Sequence, residues 1–434
     1  MRQTLQGARR ILRRPSFRRF WLGMLISRAG DAFTLVALSW VVLGIAGPVQ
    51  LGVVLACFGL PRIVSGPVAG RLLDGARPRL LLAADNAARG LLIAAVPVLL
   101  WQHDLAVADL YGIAAVSALL SAVTEVAESA LVPRLVDDEH LDAANSLLSA
   151  NWELAAIAGP AVAGLIVATV GAPLALLLDA GSFAVMTAIC LGLPSLDRPP
   201  GPAPPEPKQA EPKQAEPKQA LPVAGRNRLG PGILLRFPAV LVITACGFGM
   251  LFLDGVATVL YPVYARTFLH AGSAGYGALV SAAGAGALLG VLAGPGLAGR
   301  LPPSRRLAVV IAAGAPWFGL LCLAPGLAVA AVLLGLATFA WGPYYVFERT
   351  LMQRLVPREI LSRVAGARMT ISSLGFPLGS AIGGVLAGGI GVRGAIVAIA
   401  CSYLALGLLP LLAPALRTVT SAPTFPGRPQ TSKT

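Results

Sequence analysis

The stretch Glu128-Ser-Ala-Leu-Val-Pro-Arg-Leu-Val136 recurs 220 residues later as Glu348-Arg-Thr-Leu-Met-Gln-Arg-Leu-Val356. Matches of Ala or Leu alone would carry no weight in a chain that is 56% hydrophobic, whereas matched Glu, Arg and Gly in a constant frame indicate a duplication. The same offset relates further pairs along the chain: Glu139 and Glu359, Gly159 and Gly379, Gly164 and Gly384, and Gly171 and Gly391. We therefore predict two related halves.

Composition places both halves in a membrane. Only 12% of the residues are charged, about half the fraction of a typical soluble domain. Apolar runs recur along the chain with the ~20 residues that a helix needs to cross a bilayer. These runs lack the alternation of barrel strands, and a backbone in lipid must satisfy its own hydrogen bonds, so an all-α membrane protein is predicted.

Twelve such runs can be read from the sequence, six in each half. They lie near 20–45, 50–73, 80–101, 108–131, 147–170, 173–193, 238–262, 273–299, 307–325, 327–349, 369–389 and 392–413. We predict a six-helix bundle at 1–194, a linker at 195–235, and a second six-helix bundle with a tail at 236–434. Duplicated halves of this kind enclose a central substrate cavity and rock to expose it to either side.

The predicted linker is polar and rich in proline. It contains three perfect repeats of the pentapeptide Glu-Pro-Lys-Gln-Ala, beginning at Glu206, Glu211 and Glu216. A proline at every fifth residue prevents a regular helix, so we expect an extended, semi-rigid tether on the cytoplasmic side. A partner-docking segment is the alternative.

Arginines mark one end of the bundle. Seven of them crowd the N-terminus between Arg2 and Arg19, and ten more lie on the same side at Arg71, Arg77, Arg79, Arg134, Arg300, Arg305, Arg306, Arg354, Arg358 and Arg363. Loops on the opposite side hold only Arg266 and Arg393. Since cytoplasmic loops collect Lys and Arg, both termini are predicted to be cytoplasmic. The first run is longer than a signal peptide's apolar region and lacks a small-residue cleavage site, so we predict an uncleaved helix.

Several motifs resemble those of one transporter family. They are Phe17-Arg-Arg-Phe-Trp-Leu-Gly with Ser27-Arg-Ala-Gly-Asp31, Val132-Pro-Arg-Leu-Val136, Leu141-Asp-Ala-Ala-Asn-Ser-Leu147 and Gly159-Pro-Ala-Val-Ala-Gly164. Over nearly its whole length the chain resembles a major facilitator superfamily transporter. Within that family it is similar to the drug and proton antiporter branch, which includes macrolide-efflux and enterobactin-exporter-like proteins. The resemblance implies a secondary transporter in a bacterial inner membrane.

The segment Gly66-Pro-Val-Ala-Gly-Arg-Leu-Leu-Asp-Gly-Ala-Arg-Pro-Arg79 resembles the superfamily's gating loop. By that resemblance Gly70, Asp74, Arg77 and Arg79 form a cytoplasmic latch, in which Asp74 faces the N-terminal end of the eleventh helix near Arg368. Gly75 and Pro78 replace basic residues of the family pattern, which implies a weaker latch. Membrane anchoring alone would explain the arginines but not Asp74.

A motif in the fifth helix resembles one associated with exporters. It consists of Gly159, Pro160 and Gly164. Proline bends the helix, and the glycines allow close approach of a neighbouring helix. Small residues also occur in any packed membrane helix, so this motif only favours export.

Ionisable residues inside the predicted helices are functional candidates, because charge is costly in a bilayer. The proton-coupling candidates are Asp31, Glu125, Glu128, Glu153, Asp254 and Glu348, with Asp31 first by depth. A coupling carboxylate needs a pKa near physiological pH. Structural pairing, for example of Glu128 with Arg134, is the alternative. Only Glu128 and Glu348 obey the 220-residue repeat, while Asp31, Glu125, Glu153 and Asp254 break it.

Further residues receive other roles. Arg28, Asn151 and Trp152 are candidates for the substrate cavity, and Asp85 with Arg89, four apart, is predicted to form an ion pair within the third helix. Asp179 in the sixth helix is left ambiguous.

The sequence also excludes several classes. The lysines are Lys208, Lys213, Lys218 and Lys433, none of which follows a glycine as a P-loop requires, and the three histidines are scattered. We therefore expect no nucleotide, no metal and no cofactor. The charge of +14 is spread over short loops, so no nucleic acid is expected as a partner. The sequence shows no pairing of a nucleophile with a base, so an enzyme is not expected.

Together these features predict a monomeric, proton-coupled exporter of amphipathic small molecules, whose partners are its substrate, protons and the lipid bilayer. A siderophore or metabolite exporter and a lysophospholipid translocator of the same fold are alternatives. A membrane sensor or scaffold without transport is a remote one.

Overall fold

The computed structural model describes residues 10–75, 77–193, 231–298 and 301–417, with the backbone alone at 62–75, 138, 231–233, 295–298, 358, 359, 415 and 417. Helices fill nearly all of these ranges and no β-strand occurs within them, so the all-α prediction is confirmed. The predicted extended linker with its three repeats lies outside the described residues, apart from a short 3-10 helix at Pro231–Arg236.

Twelve long helical segments follow one another in the described chain. They are α1 Pro15–Ile45, α2 Pro48–Gly75, α3 Pro78–Gln102, α4 Val107–Leu135, α5 Leu141–Val170, α6 Ala172–Gly192, α7 Pro238–Thr267, α8 Gly272–Ala298, α9 Pro303–Leu323, α10 Leu327–Leu355, α11 in two segments (Arg358–Ser373 and Gly375–Gly389), and α12 Gly391–Leu412. Eleven of them are long and apolar enough to cross a membrane. The other, α2, is 28 residues long, and the part of it described with side chains, Pro48–Pro61, is also apolar.

Local sequence explains where these helices begin and end. Several begin at a proline, because the first turn of a helix has no use for the missing backbone N–H. Gly171 between α5 and α6 and Gly391 between α11 and α12 have φ of 90° and 71°, a backbone conformation that favours glycine. These two glycines are partners in the 220-residue repeat, so the duplication preserved a turn that needs glycine.

The predicted boundaries are too short at one end of the molecule. The helix predicted to begin near 369 begins at Arg358, and the helix predicted to end near 349 ends at Leu355. These extra turns carry arginines and extend past the apolar runs, so a hydropathy pattern does not detect them. We call this the basic end; it holds Arg14, Arg79, Arg134 and Arg354. The opposite end holds Arg266 and Arg393.

The two sets of six helices pack in the same way. In the first set α1 contacts α5 and α6, α2 contacts α4, and α3 contacts α6. In the second set α7 contacts α11 and α12, α8 contacts α10, and α9 contacts α12. Each contact in one set thus has its counterpart six helices later, as a duplicated bundle requires.

Two close helix crossings join the sets. A Cβ atom on Gly164 of α5 would lie 3.0 Å from Cα of Gly277 in α8, and one on Gly52 of α2 would lie 3.1 Å from Cα of Gly384 in α11. The Ser273 hydroxyl also donates to the Gly164 carbonyl at 3.2 Å. Both crossings lie toward the opposite end, where Arg266 stacks on Trp40 of α1 with Cζ 5.6 Å from the ring centre. The two halves are therefore closely packed at that end.

The offset between the two halves is not the same at every position. Gly159 faces Ala29 and Ala32 of α1, whereas Gly379, its counterpart, faces Phe252 of α7. Ala32, the nearer of the two alanines, lies 220 residues before Phe252, whereas the starts of α1 and α7 at Pro15 and Pro238 are 223 residues apart. At this offset Asp31 falls on Asp254. The two carboxylates therefore coincide at the offset of the helix starts and not at the 220-residue offset on which the sequence prediction was based.

Candidate transport cavity

A cavity of about 490 Å³ lies in the middle of the helices. Its walls come from α1 to α6, and Phe376 of α11 is the one wall residue of the second half among the residues described. The sequence predicted a cavity between equivalent halves. The structure instead places the chemistry of this cavity almost entirely on the first half.

The first ion pair in the cavity joins α1 to α4. Arg28 donates from Nη2 to both carboxylate oxygens of Glu128, at 2.9 and 3.2 Å. Its guanidinium also lies over Trp152, with Cζ 4.8 Å from the ring centre. Both charged side chains are less than one fifth exposed. Glu128 therefore pairs across the cavity with Arg28, and not with Arg134 as the alternative prediction had it.

The second ion pair joins α1 to α3. Arg89 donates from Nη2 to Oδ1 of Asp31 at 2.8 Å, and its guanidinium lies over Phe183 with Cζ 4.4 Å from the ring centre. Asp31 is 46% exposed and faces the cavity. The predicted pairing of Arg89 with Asp85 is therefore wrong. The side chain of Arg89 is long enough to reach α1, where a carboxylate that faces the cavity needs its charge compensated.

Two further carboxylates lie behind this pair with hydroxyl partners. Asp85 of α3 is buried and accepts a hydrogen bond from Thr124 of α4, while its Oδ1 has no hydrogen-bond partner within the described chain. Asp179 of α6 is fully buried and accepts from Thr34 at 2.5 Å and from Ser182 at 3.0 Å. The sequence left Asp179 ambiguous. Its hydroxyl partner Ser182, three residues on, was the only local signal of a hydrogen-bonded site.

Other predicted residues separate into wall and scaffold. Glu125 and Trp152 line the cavity, and Trp152 is 56% exposed. Asn151 is fully buried and donates to the Trp21 carbonyl at 2.9 Å, so it fastens α5 to α1 and does not face a substrate. Glu153 is exposed and does not belong to the described wall of the cavity.

The two predicted carboxylates of the second half lie elsewhere. Glu348 of α10 is buried in an ion pair with Arg368 of α11. Asp254 of α7 is exposed and does not belong to the described wall of the cavity.

The structure describes only part of the predicted latch. Gly70 and Asp74 belong to the helical backbone of α2, but the side chains of this segment lie outside the described residues. Arg77 is exposed, and Arg79 donates to the Leu193 carbonyl at 2.5 Å, which ties the start of α3 to the end of α6. Arg368, the predicted neighbour of Asp74, is paired with Glu348. The latch stays a prediction.

At the surface of the basic end, Arg14 pairs with Asp137 in the connection between α4 and α5. The hydrogen bond from this guanidinium lowers the pKa of the Asp137 carboxyl below its usual range. The contact fixes the start of α1 beside the end of α4.

A path leads from the cavity toward the basic end. A second hollow of about 570 Å³ shares Arg28, Glu125, Glu128 and Trp152 with the cavity and extends to Pro133 and Leu141. The latter two residues lie at the basic-end termini of α4 and α5. Because the halves are in close contact at the opposite end, access in this structure is from the basic end.

Paired six-helix bundles with a charged cavity that is open at one end and packed at the other have the architecture of a secondary membrane transporter. Residues 20–380 match the Major Facilitator Superfamily, and the chain belongs to that family.

Named relatives agree with this assignment. The multidrug efflux pump Tap of Mycolicibacterium fortuitum is 28% identical over 401 residues, which cover 91% of this chain and 94% of the pump. The enterobactin exporter EntS of Citrobacter koseri is 27% identical over 390 residues, which cover 87% of this chain and 85% of the exporter.

Solved structures share the fold. A bacterial homologue of the iron transporter ferroportin, in an inward-facing state, superposes with a TM-score of 0.70 at 16% identity, over 91% of this chain and 98% of that one. The chain is thus a multi-span transporter of this fold.

Proposed function

We propose that the protein is a proton-coupled exporter of amphipathic small molecules that works by alternating access. One observation carries the proposal: the cavity combines aromatic walls at Phe58, Trp152, Phe183 and Phe376 with carboxylates. Aromatic walls bind the apolar part of a ligand, and carboxylates in a low-dielectric site can exchange protons. The named efflux pumps support export as the direction.

The geometry supports a working cycle of two states. In the structure the cavity opens toward the basic end, which the arginine bias places in the cytoplasm. Rocking of the halves about the α5–α8 and α2–α11 crossings would close that end and open the other. Substrate would then enter from the cytoplasm and leave outside, while protons travel inward.

Asp31 is the first residue to test. It is the most exposed of the ion-paired carboxylates in the cavity, so substrate and solvent both reach it. In proteoliposomes, an imposed pH gradient should drive uptake of members of a small panel of lipophilic drugs by the wild type. Asp31→Asn should reduce this gradient-driven flux by tenfold or more. Glu153→Gln removes a carboxylate outside the cavity wall and should retain full flux. Flux that persists unchanged after the gradient is collapsed would contradict the coupling.

A siderophore exporter is the second candidate, because a relative with 27% identity is named an enterobactin exporter. Enterobactin therefore belongs in the same panel. Gradient-driven flux of enterobactin with none of the drugs would favour this candidate. The absence of any flux across the panel would favour a sensor or scaffold.

A further inference from the structure

A groove separate from the transport cavity lies between α1 and α6. It has a volume of about 330 Å³ and is lined by Arg19 of α1 and by Val185, Ala188, Ile189 and Gly192 of α6. None of these five residues belongs to the described wall of the transport cavity. The groove is therefore a second concave feature of the first half, with one charged residue and four apolar or small ones.

The groove opens on the outer surface of the bundle. Leu22 and Ile26 follow Arg19 by three and seven residues and so share its face of α1. Both are exposed, at 42% and 45%, and Val185 on the α6 side of the groove is 43% exposed. Large apolar side chains with this exposure in a membrane helix face lipid. The molecules that fill the groove are therefore those of the bilayer.

The packing of the two helices sets the depth of the groove. Gly23 of α1 lies against Ile189 of α6, since a Cβ atom at Gly23 would be 2.8 Å from Cδ1 of Ile189. α1 begins and α6 ends at the basic end, so Arg19, one turn before Gly23, is level with Gly192 at the end of α6. Val185 lies seven residues deeper, about 10 Å at 1.5 Å per residue. The groove thus begins with a guanidinium at the basic end and continues into the apolar part of the bilayer.

Small residues on α6 leave the space of the groove open. A Cβ atom at Gly192 would have no atom of the described chain within 4 Å, and Ala188, one turn deeper, is exposed. Water needs two or more polar partners, which these walls do not offer, and an empty space would forfeit van der Waals contacts. A hydrocarbon chain satisfies both conditions.

The mouth of the groove carries positive charge that no carboxylate of the described chain compensates. Arg19 is exposed and forms no ion pair within that part of the chain, and the same holds for Arg13 and Arg18 nearby. Arg14, by contrast, is paired with Asp137. A guanidinium binds the oxygens of a phosphate in a bidentate manner, so the charge at the mouth matches an anionic phosphate.

We propose that the groove binds one anionic phospholipid, with its phosphate on Arg19 and an acyl chain along Ala188 and Val185. The arginine bias places this lipid in the cytoplasmic leaflet, where basic pockets between membrane helices bind anionic headgroups. The linker that follows α6 is the alternative occupant, but its Glu-Pro-Lys-Gln-Ala repeats lack the apolar stretch that the walls require. Since the site lies outside the transport cavity, it does not depend on the proposed function.

The test is lipid retention by the purified full-length protein in detergent. Native mass spectrometry counts bound phosphatidylglycerol, or phosphatidylcholine with the same acyl chains, as the lipid concentration is raised. We expect the wild type to retain its first phosphatidylglycerol at an about fivefold lower concentration than phosphatidylcholine. Arg19→Gln should remove this preference. Arg18→Gln, one residue away and outside the groove, should stay within about twofold of the wild type.

A second pair of variants tests the acyl chain and not the charge. Gly192→Leu should fill the groove and weaken retention of both lipids by about tenfold or more, because the chain loses its buried methylene groups. Gly181→Leu is the matched control on the same helix, since a Cβ atom there also has nothing within 4 Å and the position lies outside the groove. Without added lipid, both variants should unfold at the temperature of the wild type.

Three results would overturn the inference. Equal losses of preference in Arg19→Gln and Arg18→Gln would show diffuse attraction to the basic end. Retention by Gly192→Leu at the level of Gly181→Leu would show that no acyl chain occupies the groove. Retention of phosphatidylglycerol that appears only after the repeats at 206–220 are replaced by Gly-Ser of equal length would assign the groove to the linker.

Discussion

Glu128 and Glu348 occupy equivalent positions of the repeat, yet they pair with arginines on helices that are not equivalent. Glu128 pairs with Arg28 of α1 in the wall of the cavity, and Glu348 pairs with Arg368 of α11 in the packed second half. The duplication thus kept the carboxylate and exchanged the helix that neutralises it. The first pair is open to a substrate, whereas the second has the burial of a structural pair.

The pair in the second half should contribute to stability as a unit. Glu348→Ala leaves Arg368, 18% exposed, without its partner, and breaking a largely buried ion pair from one side costs about 3–5 kcal/mol. The double variant Glu348→Leu/Arg368→Met removes both charges and should lose much less. Thermal unfolding in detergent measures the difference, and Glu153→Ala on the exposed face should change the unfolding free energy by no more than about 0.5 kcal/mol. Equal losses of unfolding free energy in the single and double variants would show that packing, and not the ion pair, stabilises this region.

At the scale of helices, glycines decide which elements join the halves. Gly164 and Gly384, partners in the repeat, each lie at one of the two crossings between halves. Helices approach this closely only where small residues remove side-chain bulk from the contact. The motif in α5 resembled an exporter motif in the sequence, and the structure gives its glycines two tasks. Gly159 packs α5 on α1 of the same half, and Gly164 packs α5 on α8 of the other.

Gly164→Val should therefore weaken the contact at the opposite end. Its side chain would overlap Gly277 of α8, and overpacking of this kind costs about 1–3 kcal/mol. We expect a lower unfolding temperature and impaired transport. Gly112→Val is the matched control, since a Cβ atom at Gly112 in α4 has no neighbour within 4 Å. It should not lower stability, because Val has a somewhat higher helix propensity than Gly and meets no neighbour there. Equal effects of the two substitutions would contradict the role of the crossing.

On the scale of the whole molecule, the two halves have the same packing but different chemistry. The described cavity wall takes its ion pairs from α1, α3 and α4, while the second half contributes Phe376. One half therefore holds the charged site, and the other packs against it.

The side of the membrane that each end faces is a prediction for the whole molecule. Arginine bias places the basic end in the cytoplasm. In a variant without its five native cysteines, Asp104→Cys in the α3–α4 connection should react with a membrane-impermeant maleimide in intact cells. Arg134→Cys at the basic end should react only after the cells are opened; both positions are exposed in the structure. The reverse labelling pattern would invert the orientation and the direction of transport.

The number, order and duplication of the helices follow from the sequence, because a bilayer sets the length of each apolar run and requires every helix to satisfy its own hydrogen bonds. The family resemblance rested on local motifs, and the match of residues 20–380 to the Major Facilitator Superfamily confirms it. The sequence also identified Asp31, Glu125, Glu128 and Trp152 as candidates, and all four line the cavity. Charged side chains are costly inside a membrane helix, so their presence there indicates a functional role.

Only the tertiary structure decided which side chains meet. Arg89 is four residues from Asp85 but binds Asp31 on another helix, and Asp179 is hydrogen-bonded to Thr34, 145 residues away. Glu153 was a coupling candidate like Glu125, yet it is exposed and does not belong to the described wall of the cavity. The physical reason is that a helical sequence fixes which residues share a face, but not the rotation and separation of neighbouring helices. Partner choice across the cavity depends on those two quantities.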